Sequence, residues 1–359
     1  MSKPRITANM VTFARLLPMP LLAFWLYHAY SSRAQMWAAL IVGTLIGCTD
    51  FVDGYLARRQ GPTVLGGLLD PIADKVFVAL VYAPLAAVGV VPAWACALMF
   101  VREFVVTALR SSYERRALHM KTSYLAKVKT WTQMQGIGVL YIFLLVRSAS
   151  VMEGILIAGI VAPLIAMGAL YVIRKKLWVG AIVMSAAFAS LLFVFETRPQ
   201  DTSAFIMLIV VALTWISGLD YFAGALKSVR NLGAADLARY AGAIAIPCTV
   251  FAALVDSPAA AWPILTVLSL ELGVGGLDNL LSHHGAACPP ALWAARTLGA
   301  SGLLLATIWI KDAATPLAVT AAAICTAGVA WEFWRGRGYY LDQKTRDKAR
   351  TPAAAPATR

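Results

Sequence analysis

The sequence predicts an all-α, polytopic membrane protein, a bundle of transmembrane helices. Of its 359 residues, 60% are hydrophobic and only 14% are charged, and the mean hydropathy is +0.72. Soluble domains contain about 45–50% apolar and about 25% charged residues. Apolar runs of about 20 residues, long enough to cross a bilayer, recur along nearly the whole chain. They leave no stretch that would form a large soluble domain.

We count about twelve such runs. They lie near residues 10–30, 35–56, 71–91, 93–109, 130–147, 153–173, 177–195, 203–226, 240–256, 261–281, 290–310 and 315–334. The first run follows a basic start, as a signal peptide does, but it is too long and contains Arg15. We therefore predict a retained helix. The sixth and seventh runs form a hairpin around Arg174, Lys175 and Lys176.

The formal charge of +13 reflects membrane topology. Lys and Arg residues cluster in alternate connections between the apolar runs, whereas a nucleic-acid-binding protein needs a continuous basic face. The positive-inside rule places these connections and both termini in the cytoplasm. We expect an integral protein of the bacterial inner membrane, with no nucleic-acid partner. The five cysteines are scattered singly, which predicts neither a disulfide framework nor a cysteine metal site.

Four carboxylates occur between Asp50 and Asp74, at the end of one apolar helix and the start of the next. Asp50 and Asp53 share a helical face, and Asp70 and Asp74 are spaced i, i+4 on the following helix. Acids in a membrane segment are costly and usually functional. Their mutual repulsion is relieved by a cation, and oxygen ligands converging from two helices suit Mg²⁺ or another divalent ion.

Two glycines and an arginine accompany the acids. Gly54 and Gly66 allow a ligand's phosphate to approach the backbone closely, and the Arg58 guanidinium can bind phosphate oxygens through two parallel hydrogen bonds. The structural alternative is that the acids form ion pairs at a helix end, with Arg58, Arg59, Arg102 and Lys75. That alternative explains a single aspartate well, whereas the complete set favours a functional site.

The spacing resembles the signature of the CDP-alcohol phosphotransferases, Asp-x2-Asp-Gly-x2-Ala-Arg followed by Gly-x3-Asp-x3-Asp. The matching residues are Asp50, Asp53, Gly54, Ala57, Arg58, Gly66, Asp70 and Asp74. The spacer between the halves is one residue shorter than is usual. The resemblance implies two divalent ions, Mg²⁺ or Mn²⁺, held by the four aspartates. It also implies that Gly54, Ala57, Arg58 and Gly66 bind the CDP-linked lipid, that Asp74 is the catalytic base and that CMP leaves.

Flanking segments resemble those of phosphatidylglycerophosphate synthases. The similar positions are Asn9, Thr12 and Arg15; Arg102, Glu103, Thr107 and Arg110; Lys127, Lys129, Thr130 and Gln133; and the segment TWISGLDYFAGALKSVR. The resemblance implies CDP-diacylglycerol as donor and sn-glycerol 3-phosphate as acceptor. An anionic acceptor needs a cationic pocket, which we assign to Arg102, Arg110, Lys127 and Lys129, with Thr12 and Arg15 as further substrate-binding residues. The alternative for Lys127 and Lys129 is the positive-inside rule alone.

The resemblance covers residues 5–147 and 203–230. We predict a CDP-alcohol phosphatidyltransferase module over 1–230 with a helical hairpin inserted at about 150–200, an accessory four-helix membrane domain over 231–335, and a basic disordered tail over 336–359. In the accessory domain Glu271 and Asp278 share a helical face and His283 and His284 follow. We expect the acids to bond neighbouring helices, with a metal site or proton relay as the alternative.

Other functions remain open at this point. Phosphatidylglycerol as acceptor would make the protein a cardiolipin synthase, and another small alcohol is also possible. About twelve helices with buried acids also describe a transporter, but transporters commonly show related halves and the acidic pattern occurs once. A catalytically silent scaffold is the third class. The resemblance implies a homodimer in contact with membrane lipid.

Overall fold

The structure is a computed structural model of the chain. It describes residues 7–29, 32–61, 63–116, 124–175, 177–219, 221–222 and 233–341, without the side chains of residues 50, 51 and 124–131. Within these ranges every regular element is a helix. The N-terminal part contains α1 (Ala8–Leu16), α2 (Met19–Ala29), α3 (Arg33–Gln60), α4 (Val64–Ala87), α5 (Ala93–Arg115), α6 (Tyr124–Leu145), α7 (Ala149–Arg174), α8 (Val179–Thr197) and α9 (Thr202–Ile216). The C-terminal part contains α10 (Ala234–Asp256), α11 (Ala261–His283), α12 (Pro290–Trp309) and α13 (Ala314–Leu341).

The predicted membrane class is confirmed. In the described part of the chain, 9 helical segments are long and apolar enough to cross a membrane, the first of which combines α1 and α2. α4 and α5 also have spanning length, at 24 and 23 residues. They carry acidic and basic side chains within their apolar sequences, such as Asp74 and Lys75 on α4 and Arg102 and Glu103 on α5. The charged side chains within these two apolar helices are therefore candidates for chemistry.

Several predicted boundaries were wrong. The first run is two helices, because Pro18 and Pro20 interrupt the backbone hydrogen bonding expected of one. α4 begins at Val64, earlier than predicted, because the Thr63 hydroxyl accepts the Gly66 N–H and caps the helix. Asp70 and Asp74 therefore lie inside α4, beyond its first turn. α13 continues to Leu341, so the first residues of the predicted tail are helical, while 342–359 lie outside the described residues.

One hydrophobic core extends through both parts of the chain. It includes Phe77 and Tyr82 of α4, Phe100 of α5, and Phe251 and Leu268 of the C-terminal helices. α10 packs against α5, and α11 packs against both α4 and α5. The proposed division at residue 230 stays a prediction, and the packing across it is extensive.

Candidate active site

The short helix α1 lies against both α3 and α4. Its start is tied to the connection between them, because the Ala8 N–H donates to Gln60 Oε1 at 3.2 Å and the Thr63 hydroxyl donates to Asn9 Oδ1 at 2.9 Å. Thr63 also caps α4. The ends of three helices thus meet at one place, and the acidic residues lie just beyond it.

Thr12 joins the two acidic helices. Its side chain is 1% exposed, and its hydroxyl lies 3.2 Å from Asp53 Oδ2 on α3, 2.9 Å from Asp70 Oδ1 on α4, and 3.2 Å from the Ala8 carbonyl. A hydroxyl has a single proton to donate. Three oxygens therefore share one donor, and Thr12 links α3 to α4 through it.

Arg15 lies one turn further along α1 and contacts Asp53 and Asp74. Its guanidinium is 3.2 Å from Asp74 Oδ1 and 3.6 Å from Asp53 Oδ2. Asp53 is 3% exposed, whereas the Asp74 side chain is 36% exposed. Asp53 is thus enclosed by protein, whereas Asp74 is partly open to an incoming molecule.

The structure brings Asp53, Asp70 and Asp74 together around Thr12 and Arg15. The side chain of Asp50 lies outside the described residues. Among the residues that are described, no group of three or more His, Cys, Asp or Glu side chains has the geometry of a metal site. The donor set nevertheless suits hard divalent cations, because it consists of carboxylate oxygens.

The remaining signature residues surround this group on α3 and α4. Arg58 is exposed and extends back along α3, so that a Cβ added at Gly54 would lie 3.6 Å from Arg58 Nη1. Ala57 is half-buried on the same helix. At Gly66 an added Cβ would lie 2.9 Å from Asn9 Oδ1. Gly66 therefore has a packing reason in addition to the predicted contact with substrate, since it lets α1 approach α4.

An apolar groove lies next to the acids. It lies between α1 and α3, has a volume of about 460 Å³, and is lined by residues such as Met10, Leu45 and Ile46. Arg15 lines its polar end and also contacts Asp53 and Asp74. The groove thus combines apolar walls with one cationic side chain that also contacts the acids.

The predicted acceptor cations are not gathered in one place by the described contacts. Arg102 is 3% exposed, pairs with Glu103 at 3.2 Å, and donates to Ser217 Oγ at 3.2 Å. These are the contacts of a buried ion pair linking α5 to the end of α9. Arg110 is half-buried on α5. The side chains of Lys127 and Lys129 lie outside the described residues, so their predicted roles stay predictions.

The C-terminal acids bond neighbouring helices, as expected. Arg296 donates to Glu271 at 2.8 Å and also contacts Glu332. Asp278 lies 3.7 Å from Arg115 and 3.6 Å from Arg239. Glu271 and Asp278 of α11 thus contact arginines on three other helices, α5, α10 and α12, and these polar contacts hold the helices together.

The residues directly after α11 pack against the rest of the bundle. The His284 ring stacks on Tyr339 with centroids 4.9 Å apart. Burial and the neighbouring His283 lower the pKa of His284, which favours a neutral ring. Burial, with a contribution from Glu332, raises the pKa of the Cys288 thiol to about 12. Both groups are therefore uncharged near neutral pH.

Sequence reasoning missed Gln60 and Thr63, which fix α1 on the acidic helices. Thr63 had a signal, because a threonine three residues before a glycine and directly before an apolar run is a capping pattern. Gln60 had none, since a contact with a residue 52 positions away leaves no trace in local periodicity.

The comparisons with known proteins identify the family. The CDP-alcohol phosphatidyltransferase family model matches residues 5–167. The CDP-diacylglycerol--glycerol-3-phosphate 3-phosphatidyltransferase of Rickettsia felis is 36% identical over 133 residues, which are 37% of this chain and 72% of the relative. This chain belongs to the CDP-alcohol phosphatidyltransferase family. No solved structure matches it significantly.

Further relatives of the CDP-alcohol phosphatidyltransferase family extend the match. The enzyme of the same name from Cereibacter sphaeroides is 31% identical over 231 residues, which are 62% of this chain and 96% of the relative. A probable phosphatidylglycerophosphate synthase of Mycobacterium tuberculosis is 31% identical over 185 residues, covering 50% of this chain and 86% of the relative. The protein is therefore a phosphatidyltransferase, and its signature acids lie in the matched part.

Proposed function

We propose that the protein transfers the phosphatidyl group of CDP-diacylglycerol to sn-glycerol 3-phosphate, giving phosphatidylglycerophosphate and CMP. The convergence of Asp53, Asp70 and Asp74 on Thr12 and Arg15 carries this proposal, because it assembles the family signature into one acidic site. The relatives named for this reaction support the choice of donor and acceptor.

Asp74 acts as the general base. It is far more accessible than Asp53, with 36% of its side chain exposed against 3%, and a base must reach the hydroxyl that it deprotonates. Asp74 accepts the proton of the acceptor's hydroxyl as the oxygen attacks the phosphorus of the phosphatidyl group. The bond from that phosphorus to the CMP oxygen breaks, and CMP leaves with the electron pair.

The other signature residues bind and orient the donor. Arg58 donates to the diphosphate, and Gly54 and Ala57 leave room for it next to α3. Asp50, Asp53, Asp70 and Asp74 would hold Mg²⁺ or Mn²⁺, which when bound stabilises charge on the attacking and leaving oxygens. Arg15 keeps Asp53 and Asp74 in place, since its guanidinium contacts both carboxylates.

The lipid reaches the acids along the groove between α1 and α3. The groove's apolar walls suit acyl chains, and its polar end at Arg15 suits the diphosphate. Arg110, Lys127 and Lys129 supply positive charge for the phosphate of the acceptor, with Arg102 supporting them from within α5. From the positive-inside pattern we infer that this site faces the cytoplasm at the bacterial inner membrane, where the water-soluble acceptor and CMP can enter and leave.

The acceptor is tested by product analysis. Purified protein is incubated with CDP-diacylglycerol and Mg²⁺ and with one acceptor at a time: sn-glycerol 3-phosphate, phosphatidylglycerol, serine or inositol phosphate. We expect CMP release and a new lipid with sn-glycerol 3-phosphate, at least about tenfold faster than with any other acceptor.

Each other result has a definite meaning. A cardiolipin product from phosphatidylglycerol, with none from sn-glycerol 3-phosphate, would keep the phosphatidyl transfer and overturn the acceptor. No CMP release with any acceptor would contradict the proposed reaction.

A further inference from the structure

The C-terminal helices support the helix that carries two of the acids. α11 packs against α4 and α10 packs against α5. At the second contact the rings of Phe100 and Phe251 are stacked with centroids 5.7 Å apart. The family model ends at residue 167, so α10 and α11 lie outside the matched region. A part of the chain outside the matched region therefore packs against α4, the helix that carries Asp70 and Asp74.

The contact between α11 and α4 depends on a glycine. A Cβ added at Gly276 would lie 2.9 Å from Ile72 Cγ1 and 3.1 Å from Ile72 Cδ1. At Gly273, one turn earlier, an added Cβ would lie 3.7 Å from Ile72 Cγ2. Small residues let helices in a membrane approach closely. Ile72 thus fits against the glycine surface of α11, and a side chain at position 276 would displace it.

Ile72 lies between Asp70 and Asp74 in α4. Its side chain faces α11, while those two acids face α1, where Asp70 accepts from Thr12 at 2.9 Å and Asp74 from Arg15 at 3.2 Å. A helical turn moves as a unit because its backbone hydrogen bonds connect it. Displacing Ile72 would therefore shift both carboxylates relative to α1.

A second set of contacts joins α10 to the C-terminal end of α5. Asp236 of α10 is 7% exposed and accepts from Arg115 at 2.7 Å, Arg116 at 2.6 Å and Ser112 at 3.2 Å. α5 in turn is tied to α4, since Lys75 Nζ donates to Thr107 Oγ1 at 2.6 Å. The two C-terminal helices thus restrain α4 directly and through α5.

We propose that Gly276 is a positioning residue for the transferase reaction. The C-terminal helices hold α4 where Asp70 and Asp74 meet α1, and Gly276 sets that position through its contact with Ile72. The proposal rests on the proposed function in one respect, namely that these two acids bind the metal ion and activate the acceptor. It gives the C-terminal helices a role in the activity of the N-terminal part.

The test uses full-length Gly276→Ala, Ile72→Ala and the double variant in detergent, with Gly299→Ala as the matched control. An added Cβ at Gly299, on α12, meets nothing within 4 Å. The measurements are kcat, the Mg²⁺ concentration for half-maximal rate, and the rise in melting temperature on adding Mg²⁺. We expect Gly276→Ala to lower kcat and to raise the half-maximal Mg²⁺ concentration, each at least about fivefold. Ile72→Ala in the same chain should restore both to within about twofold of the single Ile72→Ala variant.

A purely structural role would lower the melting temperature of Gly276→Ala without changing its Mg²⁺ requirement, and that result would overturn the proposal. The proposal would also be overturned if the double variant stayed as impaired as Gly276→Ala. The same criterion applies if Gly276→Ala alone does not fold. If the wild type makes no product, the proposed function fails. The Mg²⁺-induced rise in melting temperature, lost in Gly276→Ala and regained in the double variant, would then still support the positioning role, and an unchanged rise would overturn it.

Discussion

At the scale of single residues, the site depends on two residues of α1 that connect its acids. Thr12 offers one proton to Asp53, to Asp70 and to its own helix. The Arg15 guanidinium contacts both Asp53 and Asp74. Buried carboxylates require such partners, because an unpaired charge in an apolar setting is very costly. Thr12 and Arg15 therefore arrange the acids in the free protein, and they were predicted only as contacts to substrate.

The Thr12→Val substitution tests this arrangement. Valine has nearly the same shape but no hydroxyl, so Asp53 and Asp70 lose their shared donor. We expect the rate at subsaturating Mg²⁺ to fall about 10- to 100-fold, as is usual when a residue supporting metal ligands is removed. The measurement is the rate of CMP release across a Mg²⁺ titration.

Thr44→Val is the matched control on α3. Its hydroxyl is exposed and bonds only the Leu40 carbonyl of the same helix, at 2.7 Å. This variant should keep wild-type activity. Equal activity of Thr12→Val and Thr44→Val would show that Thr12 does not organise the acids.

At the scale of helices, the hairpin of α7 and α8 stands apart from the site. Its buried residues include Met152, Leu156 and Leu191, while most of its apolar surface is exposed. The contacts with the rest of the bundle are concentrated near the start of α7 and the end of α8, as in the edge-to-face pair of Phe143 and Phe195 at 5.2 Å. None of the described contacts of the acidic site involves these two helices.

Replacing residues 149–197 by a short Gly-Ser linker should therefore preserve activity within about an order of magnitude, since the removed segment has few buried contacts. CMP release by the purified variant is the measurement. The contrasting deletion of 290–341 should yield no folded protein, because it leaves Glu271 without Arg296. A folded hairpin deletion that has lost all activity would mean that α7 and α8 contribute to the site.

The sequence allowed most helices to be predicted, because membrane-spanning length and apolarity are local properties. It also located the acids, since a carboxylate in an apolar run is conspicuous. Contacts between distant helices could not be predicted. The fit of Ile72 against Gly276 joins residues about two hundred positions apart, and no local pattern distinguishes Gly276 from Gly299.

At the scale of the whole molecule, buried charges hold the C-terminal helices in one body with the rest. Arg296 of α12 lies between Glu271 of α11 and Glu332 of α13, and all three are at most 4% exposed. Asp236 of α10 and Asp278 of α11 both form ion pairs with Arg115 of α5. Ion pairs thus connect the C-terminal helices, which lie outside the family match, to the transferase part of the chain.

Replacing Arg296 by methionine should destabilise the protein severely, by about 3–5 kcal/mol, because it leaves two buried acids without their shared cation. Melting of the detergent-solubilised protein measures the effect. Arg337→Met, which removes an exposed guanidinium lying over Trp334, should change stability little. Equal melting of the two variants would contradict a stabilising role for the cluster.

The central claim is that this membrane protein is a metal-dependent phosphatidyltransferase with Asp74 as its base. The most direct measurement is CMP release from CDP-diacylglycerol and sn-glycerol 3-phosphate by the wild type, with and without Mg²⁺, and by Asp74→Asn. Asparagine keeps the size of the side chain but cannot accept the proton. We predict Mg²⁺-dependent release by the wild type and a loss of at least about 10²-fold in Asp74→Asn. Release by Asp74→Asn at the wild-type rate would contradict the account.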